Sequence, residues 1–496
     1  MDFALILPSG GPRGERLVEA LREAILGGRL APGERLPPSR ALAAQLGVSR
    51  GTVVAAFEEL VSEGYCAARV GAGTFVTVTS PPRREPLPAT EPALSGWGRR
   101  LTMPMPEADG AGGVAGAAPA GQGATTAAPP PVRYDFRPGL ASETFPGEAL
   151  GRALRRAAAY LGVEYSAGNP AGSPRLRAAL AAHLAHARAV RATPEQVIVV
   201  SGSQQGIDLA TRLLLEPGDR VCIEEPGYPR ARAVFEALGA RLTPVPVDGD
   251  GLRCAALPKD GARMVYVTPS HQYPTGAVLA PERRLALLDW AQQHGAWLLE
   301  DDYDSEFRYS GPPLPAMQGM DRDGRCLYLG SLSKILHPAL RVGYLVVPPA
   351  LVPAAVAAKS TLDQATSPAV QEALADLFEA GELERHLRRA LRGYRARRAR
   401  LLAAFAAHLS ADVRLWPVTG GLHAFLEAPA ADPVRLRAEA VARGVAINDA
   451  TPCYQTPPAG ARLILWFGRI PPERIEPGVA ALAAALLAAA TPGATG

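Results

Sequence analysis

About fifty residues with almost nothing to bury fix the plan of this chain. From residue 80 to about 132 the sequence turns to Pro, Ala, Gly and Thr, as in EADGAGGVAGAAPAGQGATTAAPPP. No apolar period runs through it, and its side chains are too small to offset the entropy lost on ordering. Such a segment predicts a flexible linker over 81–132, stiffened where its prolines cluster. It divides the 496 residues into a small N-terminal unit over 12–80 and a large body over 133–492, long enough for a sizeable core.

The small unit reads as three helices and a hairpin. Leu17, Leu21, Ala24 and Ile25 recur at helical spacing, and Gly27 and Gly28 end that run. Ser39 is placed to cap a second helix, ALAAQL, which stops at Gly47. Ser49 caps a third, with Val53, Val54, Phe57, Leu60 and Val61 as its apolar stripe. YCAARV-GAG-TFVTV then predicts two strands around a Gly-rich turn. This is the order of a winged helix-turn-helix, in which the start of the third helix enters the major groove of DNA. Here that start is Ser49, Arg50, Gly51 and Thr52. Arg50 can reach guanine or phosphate, the two hydroxyls can bond phosphate, Arg40 can grip the backbone, and Gly71 sits at the wing tip. Net charge does not argue for DNA, since residues 1–80 carry eight Arg and eight acids. The signs are segregated, however, with Arg22, Arg29, Arg35, Arg40 and Arg50 ahead of Glu58, Glu59 and Glu63.

The large body alternates short strands with helices. VIVVS, RVCIEE, MVYVT, WLLEDD, CLYLGS and VGYLVVP predict an α/β sheet covered on both faces. A smaller α/β segment follows from about residue 410, after an Arg-rich helix whose charges suit a solvated face. The informative residue is Lys334. Of the 52 Lys and Arg residues only Lys259, Lys334 and Lys359 are lysines, so an amine in SLSKILHPALRVGY points to chemistry closed to a guanidinium: losing a proton and condensing with an aldehyde. Ser331, Ser333 and Arg341 around it suit a phosphate. WLLEDD ends in Asp301 and Asp302 with Tyr303 next, a carboxylate for a pyridinium nitrogen and a phenol for a ring oxygen. Strand alternation puts Asp301 on the face of Tyr303. Those are the parts of a pyridoxal 5'-phosphate (PLP) site. Gly202, Ser203, Gln204, Gln205 and Gly206 form a turn between a strand and a helix, which aims backbone N–H groups at an anion. EEPGYP supplies Tyr228 to stack on a ring and Arg230 beside it, and SHQYPTG puts His271, Gln272 and Tyr273 at a strand end.

Five cysteines without C-x-x-C or metal spacing read as thiols in a reducing compartment. MDFALILPSG has no basic leader, and no run approaches a membrane span, VAALAAALLAAA being about three turns long. A soluble, cytoplasmic protein is expected, with no metal site and no membrane partner.

GRLAPGERLPPSRALAAQLGVSRGTVVAAFEELVSEGYCAARVGAGTFV resembles the DNA-binding domain of GntR-type bacterial regulators, with L-P-x-S-R, G-V-S-R-x-T-V and G-x-G-T-F-V in register. The resemblance implies operator binding through Arg40, Arg50, Thr52 and the wing around Gly71. Residues 133–490 are similar to fold-type I aminotransferases. That likeness implies Lys334 as the Schiff-base lysine, Asp301 at the pyridine nitrogen, Tyr303 near the ring hydroxyl and Tyr228 over the ring. It places Ser203, Gln204, Ser331 and Arg341 around the phosphate. The combination resembles the MocR-like regulators, whose versions of EDDYDSEF and TPSHQYPTG are similar, and it implies a homodimer. Two departures stand out. Tyr273-Pro274-Thr275-Gly276 stands where ordinary aminotransferases have Asn-Pro-x-Gly. The R-x-x-F pattern would put the carboxylate-binding Arg at Ile464, leaving Arg462, Arg469 or Arg230 for a ligand acid. The expected function is a PLP-dependent regulator of operator DNA in which an amino compound, or PLP itself, acts at Lys334. The alternative is an active aminotransferase carrying an accessory DNA-binding domain; transaminase turnover is expected to be weak.

Overall fold

A computed structural model of the chain describes residues 12–69, 71–77, 97, 100, 131–161, 168–311 and 314–490. The predicted linker over 81–132 lies outside the described residues but for 97, 100, 131 and 132. The chain forms two compact units, Met1–Ala93 and Leu94–Gly496.

In the first unit, α1 (Arg13–Leu26), α2 (Ser39–Leu46) and α3 (Arg50–Ser62) precede the antiparallel pair β1 (Cys66–Arg69) and β2 (Gly73–Val76). Leu17, Leu21, Ala24 and Ile25 of α1 close on Leu42, Val53, Phe57 and Leu60 in one core. Two local expectations are corrected. The cap of α2 is Pro38, and Ser39 is its first helical residue with no capping bond. Val54 faces solvent, because Val53, Ala56, Phe57 and Leu60 already fill the stripe a helix of this length can bury. Ser49 does cap α3, its Oγ accepting from Thr52 N at 3.0 Å. Gly47 ends α2 at φ 63°, a left-handed conformation that glycine adopts without cost.

The second unit holds an eight-stranded sheet. Its strands are β4 (Val197–Val200), β5 (Arg220–Glu225), β6 (Arg241–Asp248), β7 (Gly251–Leu252), β8 (Met264–Val267), β9 (Trp297–Asp302), β10 (Cys326–Ser331) and β11 (Gly343–Val346); β3 (Tyr134–Asp135) pairs elsewhere. The order is β4-β11-β10-β9-β8-β5-β6-β7. Neighbours from β10 to β6 run parallel, and β11 is antiparallel to both β4 and β10. So β4, β5, β8, β9 and β10 all end at one edge, where β11 begins.

Every residue of β4, β8, β10 and β11 is buried, as a sheet covered on both faces requires. A smaller antiparallel sheet in the order β12-β13-β16-β15 follows, built from β12 (Arg414–Leu415), β13 (His423–Ala428), β15 (Asn448–Asp449) and β16 (Ala461–Trp466), with β14 (Val445–Ala446) pairing β3. The predicted strands are all present. The sequence reading omitted β6, RLTPVPVD, whose Pro244 and Pro246 argue against a strand. They are tolerated because β6 lies near the sheet edge, hydrogen-bonded along its length only to β5.

Leu60 is fully buried at the centre of the small unit. Leu60→Ala should destabilise that unit by about 2–5 kcal/mol, the cost of a cavity in a packed core. Urea denaturation of the full chain would measure it.

Candidate functional site

The common strand edge closes over a cavity of about 240 Å³. Ser203, Gln204, Tyr228, Arg230, Asp301, Tyr303, Ser331, Ser333, Lys334 and Arg341 line it together, so these residues, all singled out in the sequence of the body, come to one place. Topology explains this: ligands of α/β sheets lie outside the carboxyl ends of the strands, where the loops converge.

Gly202 follows β4 at φ 87° and precedes a helix over Ser203–Leu214. The first amides of a helix have no acceptor within it, and Gly202 has no side chain to cap them. A Cβ at Gly202 would lie 3.1 Å from the Arg341 guanidinium. That glycine therefore lets Arg341 lie against the turn, where Nη2 donates to Ser201 O at 3.0 Å. Ser331 Oγ accepts from Ser333 N at 3.1 Å, which tightens the loop carrying Lys334. A helix start, two serines and a guanidinium make a donor-rich pocket suited to a phosphate.

Asp301 has a different environment from either neighbour. Tyr266 donates to its Oδ2 at 2.6 Å, while the buried Oδ1 has no hydrogen-bond partner. Burial pushes its carboxyl up to about 7 against the pull of the Tyr266 bond, with Asp302 and Asp304 adding repulsion. Asp302 turns the other way, taking Arg188 Nε at 2.8 Å and Tyr328 OH at 2.7 Å. Asp301 therefore faces the cavity and Asp302 does not. A protonated ring nitrogen would satisfy the open oxygen, so the residues present fit a pyridine cofactor at this position.

Lys334 is half-buried, with its ammonium 4.2 Å from the centre of the Trp466 ring. Tyr228 and Tyr273 meet edge to face at 5.3 Å along the same wall. Trp466, Tyr266, Tyr273, Thr268 and Pro338 complete the lining. Of these, sequence reasoning named only Tyr273.

Two arginines proposed for a ligand acid stand elsewhere. Arg462 donates to the carbonyls of Pro458, Ala459 and Gly460 and is paired in register with Glu427. It shares a strand face with Trp466, but at about 3.3 Å per residue it starts some 13 Å from the cavity end of β16. Arg469 reaches Asp135 at 3.3 Å. Neither lines the cavity, and Ile464 is buried. Of the three candidates only Arg230 lines it. Gln272 is also internal, donating to Pro226 O and Tyr273 O, and His271 is buried against Asp304 at 3.0 Å.

In the small unit Arg40, Ser49, Arg50 and Gly51 are exposed, Thr52 is partly so, and Gly71 is exposed at φ 74°. Arg50 Nε lies 3.4 Å from Ser39 Oγ, which brings the starts of α2 and α3 together. Ser49 and Thr52 bond each other at 2.8 Å and fix the start of α3.

Residues 13–76 match the family model for bacterial regulatory proteins of the gntR family, and residues 142–463 match that for aminotransferase class I and II. The chain is a MocR-like member of the GntR family. It is 36% identical over 496 residues to the probable rhizopine catabolism regulatory protein MocR of Rhizobium meliloti, covering 97% of this chain and 95% of that one. It is 34% identical to the transcriptional regulator TauR of Rhodobacter capsulatus, over 98% and 99% of the two chains. The pyridoxine biosynthesis regulator PdxR of Corynebacterium glutamicum is 35% identical, over 83% and 82%.

The body of this MocR-like chain has the aminotransferase fold. An archaeal alanine:glyoxylate aminotransferase superposes with a TM-score of 0.66 at 28% identity, over 71% of this chain and 90% of that one. The α-aminoadipate aminotransferase LysN of Thermus thermophilus, solved with N-(5'-phosphopyridoxyl)-L-leucine, gives 0.65 at 30%, over 71% and 92%. The family is thus one of DNA-binding regulators joined to a fold whose enzymes use PLP. Among the described residues no helix is long and apolar enough to cross a membrane.

The raised carboxyl of Asp301 has a measurable consequence. Between about pH 4 and 7 the folded protein holds a proton there that the unfolded chain has released, so stability falls as pH rises through this window. Asp301→Asn cannot ionise. Relative to the ligand-free wild type it should gain about 2–3 kcal/mol between pH 5 and pH 8. Urea denaturation at the two pH values tests this, and a pH-independent difference would contradict the assignment.

Proposed function

We propose that this protein is a PLP-dependent transcriptional regulator, in which PLP held at Lys334, together with an amino compound that reacts there, controls binding to operator DNA. The observation that carries the reading is the joining of a complete helix-turn-helix head to a cavity where Lys334, Asp301 and the donor-rich turn at Gly202 converge. In this reading Asp301 takes the ring nitrogen, Tyr228 covers the ring and Tyr303 stands by its hydroxyl. Ser203, Gln204, Ser331, Ser333 and Arg341 hold the phosphate. When bound, PLP supplies an aldehyde that exchanges one amine for another at Lys334.

The chain's own residues then decide what amine is admitted. Trp466 and Tyr273 give the wall an apolar surface, and Arg230 offers a guanidinium for an acidic group of the effector. Lack of a cavity-lining cation at Ile464 or Arg462 weakens the grip on an α-carboxylate, which separates this site from that of a working aminotransferase and leaves slow turnover at most. For the effector to change transcription it must bind two arrangements of the protein with different affinities. Arg50, Thr52, Ser49, Arg40 and the wing at Gly71 are assigned to the operator, read by a homodimer.

Protein reconstituted with PLP should be yellow and should lose its visible band in Lys334→Ala. Retarded migration of DNA from upstream of its own gene should weaken in Arg50→Ala by about 1–3 kcal/mol, roughly five- to 150-fold, and should change on adding PLP or an amine. A colourless wild type, or DNA binding indifferent to both additions, would refute the reading. Steady conversion of an amino acid and a keto acid would favour the enzyme.

A further inference from the structure

Of the chain's three lysines, Lys359 is fully enclosed. An ammonium shut away from water is costly unless it is paired. Its partner is Asp363, one turn further along the same helix, Val352–Asp363. Burial would raise the Asp363 carboxyl, but the bonds from Gln205 and Lys359 outweigh it and hold the acid below its ordinary range, so it is ionised. Neither residue lines the cavity.

From Asp363 a chain of bonds runs into the turn at Gly202. Its Oδ2 accepts from Gln205 Nε2 at 2.8 Å. Gln205 Oε1 accepts from Ser201 N at 2.7 Å, and Ser201 O takes Arg341 Nη2 at 3.0 Å. Ser201 Oγ also lies 3.4 Å from both Asp363 Oδ2 and Thr366 Oγ1. Between Asp363 and Thr366 the backbone passes through Gln364 at φ 63°, a conformation that a non-glycine residue keeps only where its surroundings impose it.

The placement of Gln205 bears on what the turn can bind. It is the third residue of the helix Ser203–Leu214. A glutamine there commonly reaches back to the N-cap amide; this one reaches a residue further and bonds Ser201. Its oxygen is thereby kept off the first amides of the helix, the groups that face an anion. Asp363 holds it there, and Lys359 cancels the charge that an acid near such a turn would set against a phosphate.

We propose that Lys359 and Asp363 are positioning residues for a phosphate monoester, acting through Gln205 and Ser201 on the turn at Gly202 and on the guanidinium of Arg341. This rests on the PLP reading above, where the phosphate is that of the cofactor. Arg341 touches the ligand; the buried pair decides where Arg341 and the turn stand.

The test compares PLP with pyridoxal, the same aldehyde without its phosphate, by titrating each into the full chain and following the visible band. Lys359→Met combined with Asp363→Leu replaces the ion pair by apolar side chains, an exchange that is often neutral for stability. This double variant should take pyridoxal as the wild type does and bind PLP about tenfold more weakly, the worth of one lost hydrogen bond. Gln205→Ala should show the same selective loss, and the triple variant no more than the double. Lys359→Met alone leaves the carboxylate uncancelled and should cost PLP more than the double does.

A wild-type preference for PLP over pyridoxal in the double variant or in Gln205→Ala would overturn the proposal. So would an equal loss of both aldehydes in Gln205→Ala, which would leave the pair a purely structural role. Should the double variant not fold, Gln205→Ala decides alone. A wild type that takes up neither aldehyde would sink the functional reading and this inference with it. One that takes up both, with variants that lose no selectivity, would sink this inference only.

Discussion

A carboxyl oxygen shut away from water without a donor costs about 1–3 kcal/mol, and the site is arranged around one. Asp301 Oδ1 is such an atom. Strand β9 brings three consecutive acids indoors, Glu300, Asp301 and Asp302, all buried. Glu300 accepts on both oxygens, from Met317 N at 3.0 Å and Gln318 N at 2.9 Å, and Asp302 takes a guanidinium and a phenol on Oδ2. Of the three, only Asp301 keeps a buried oxygen without a partner. Alternation along the strand sends Glu300 and Asp302 to one face and Asp301 to the other, so the incomplete partner set falls on the side where the cavity opens.

Such an arrangement exchanges stability for affinity. A ligand that donates to Oδ1 recovers the energy missing from the empty fold, and binding then stabilises the folded state in proportion to occupancy. The surroundings keep the acid from escaping its position. The Tyr266 bond fixes one oxygen, and Arg188 anchors the adjacent residue in an ion pair with both side chains under 5% exposed. Breaking a buried pair of that kind leaves an uncompensated charge and is far more costly than losing a surface bridge. The rigid half of β9 thus holds the unsatisfied half in place.

How much of this was legible in the sequence follows from the range over which each feature is determined. Most strand runs, the helix-turn-helix order, the Ser49 cap and the opposite facing of Asp301 and Asp302 depend on neighbours a few residues away, and these were readable. Tyr266 and Trp466 were not. Each reaches the cavity by strand pairing, Tyr266 opposite Leu299 and Trp466 opposite His423, and no local pattern announces a partner 33 or 43 residues off. Arg462 was misjudged for a related reason. Period-two alternation gives the face of a strand but not the distance along it, and the cavity touches only the last residue of β16. Pro244 and Pro246 misled in the opposite sense, since edge position, invisible locally, removes their penalty in β6.

On the reading proposed above, Ile464 where the family pattern has an arginine leaves Trp466 beside Lys334 on the cavity wall, and this changes what the body can discriminate. An arginine pairs with a carboxylate bidentately and holds an amino acid in a fixed orientation. An indole 4.2 Å from Lys334 attracts an ammonium through its face but sets no direction along the substrate. Catalysis of transamination depends on orientation at the reacting carbon, worth many orders of magnitude in rate, whereas sensing needs only a difference in affinity between two states, of 1–3 kcal/mol for a coupling of five- to about 150-fold. On the reading proposed for this protein, a pocket that keeps the lysine, the ring-nitrogen acid and the phosphate donors, with Ile464 in place of the family's orienting arginine, meets the second requirement and falls short of the first, and that is the physical sense in which an aminotransferase body can serve as a receptor.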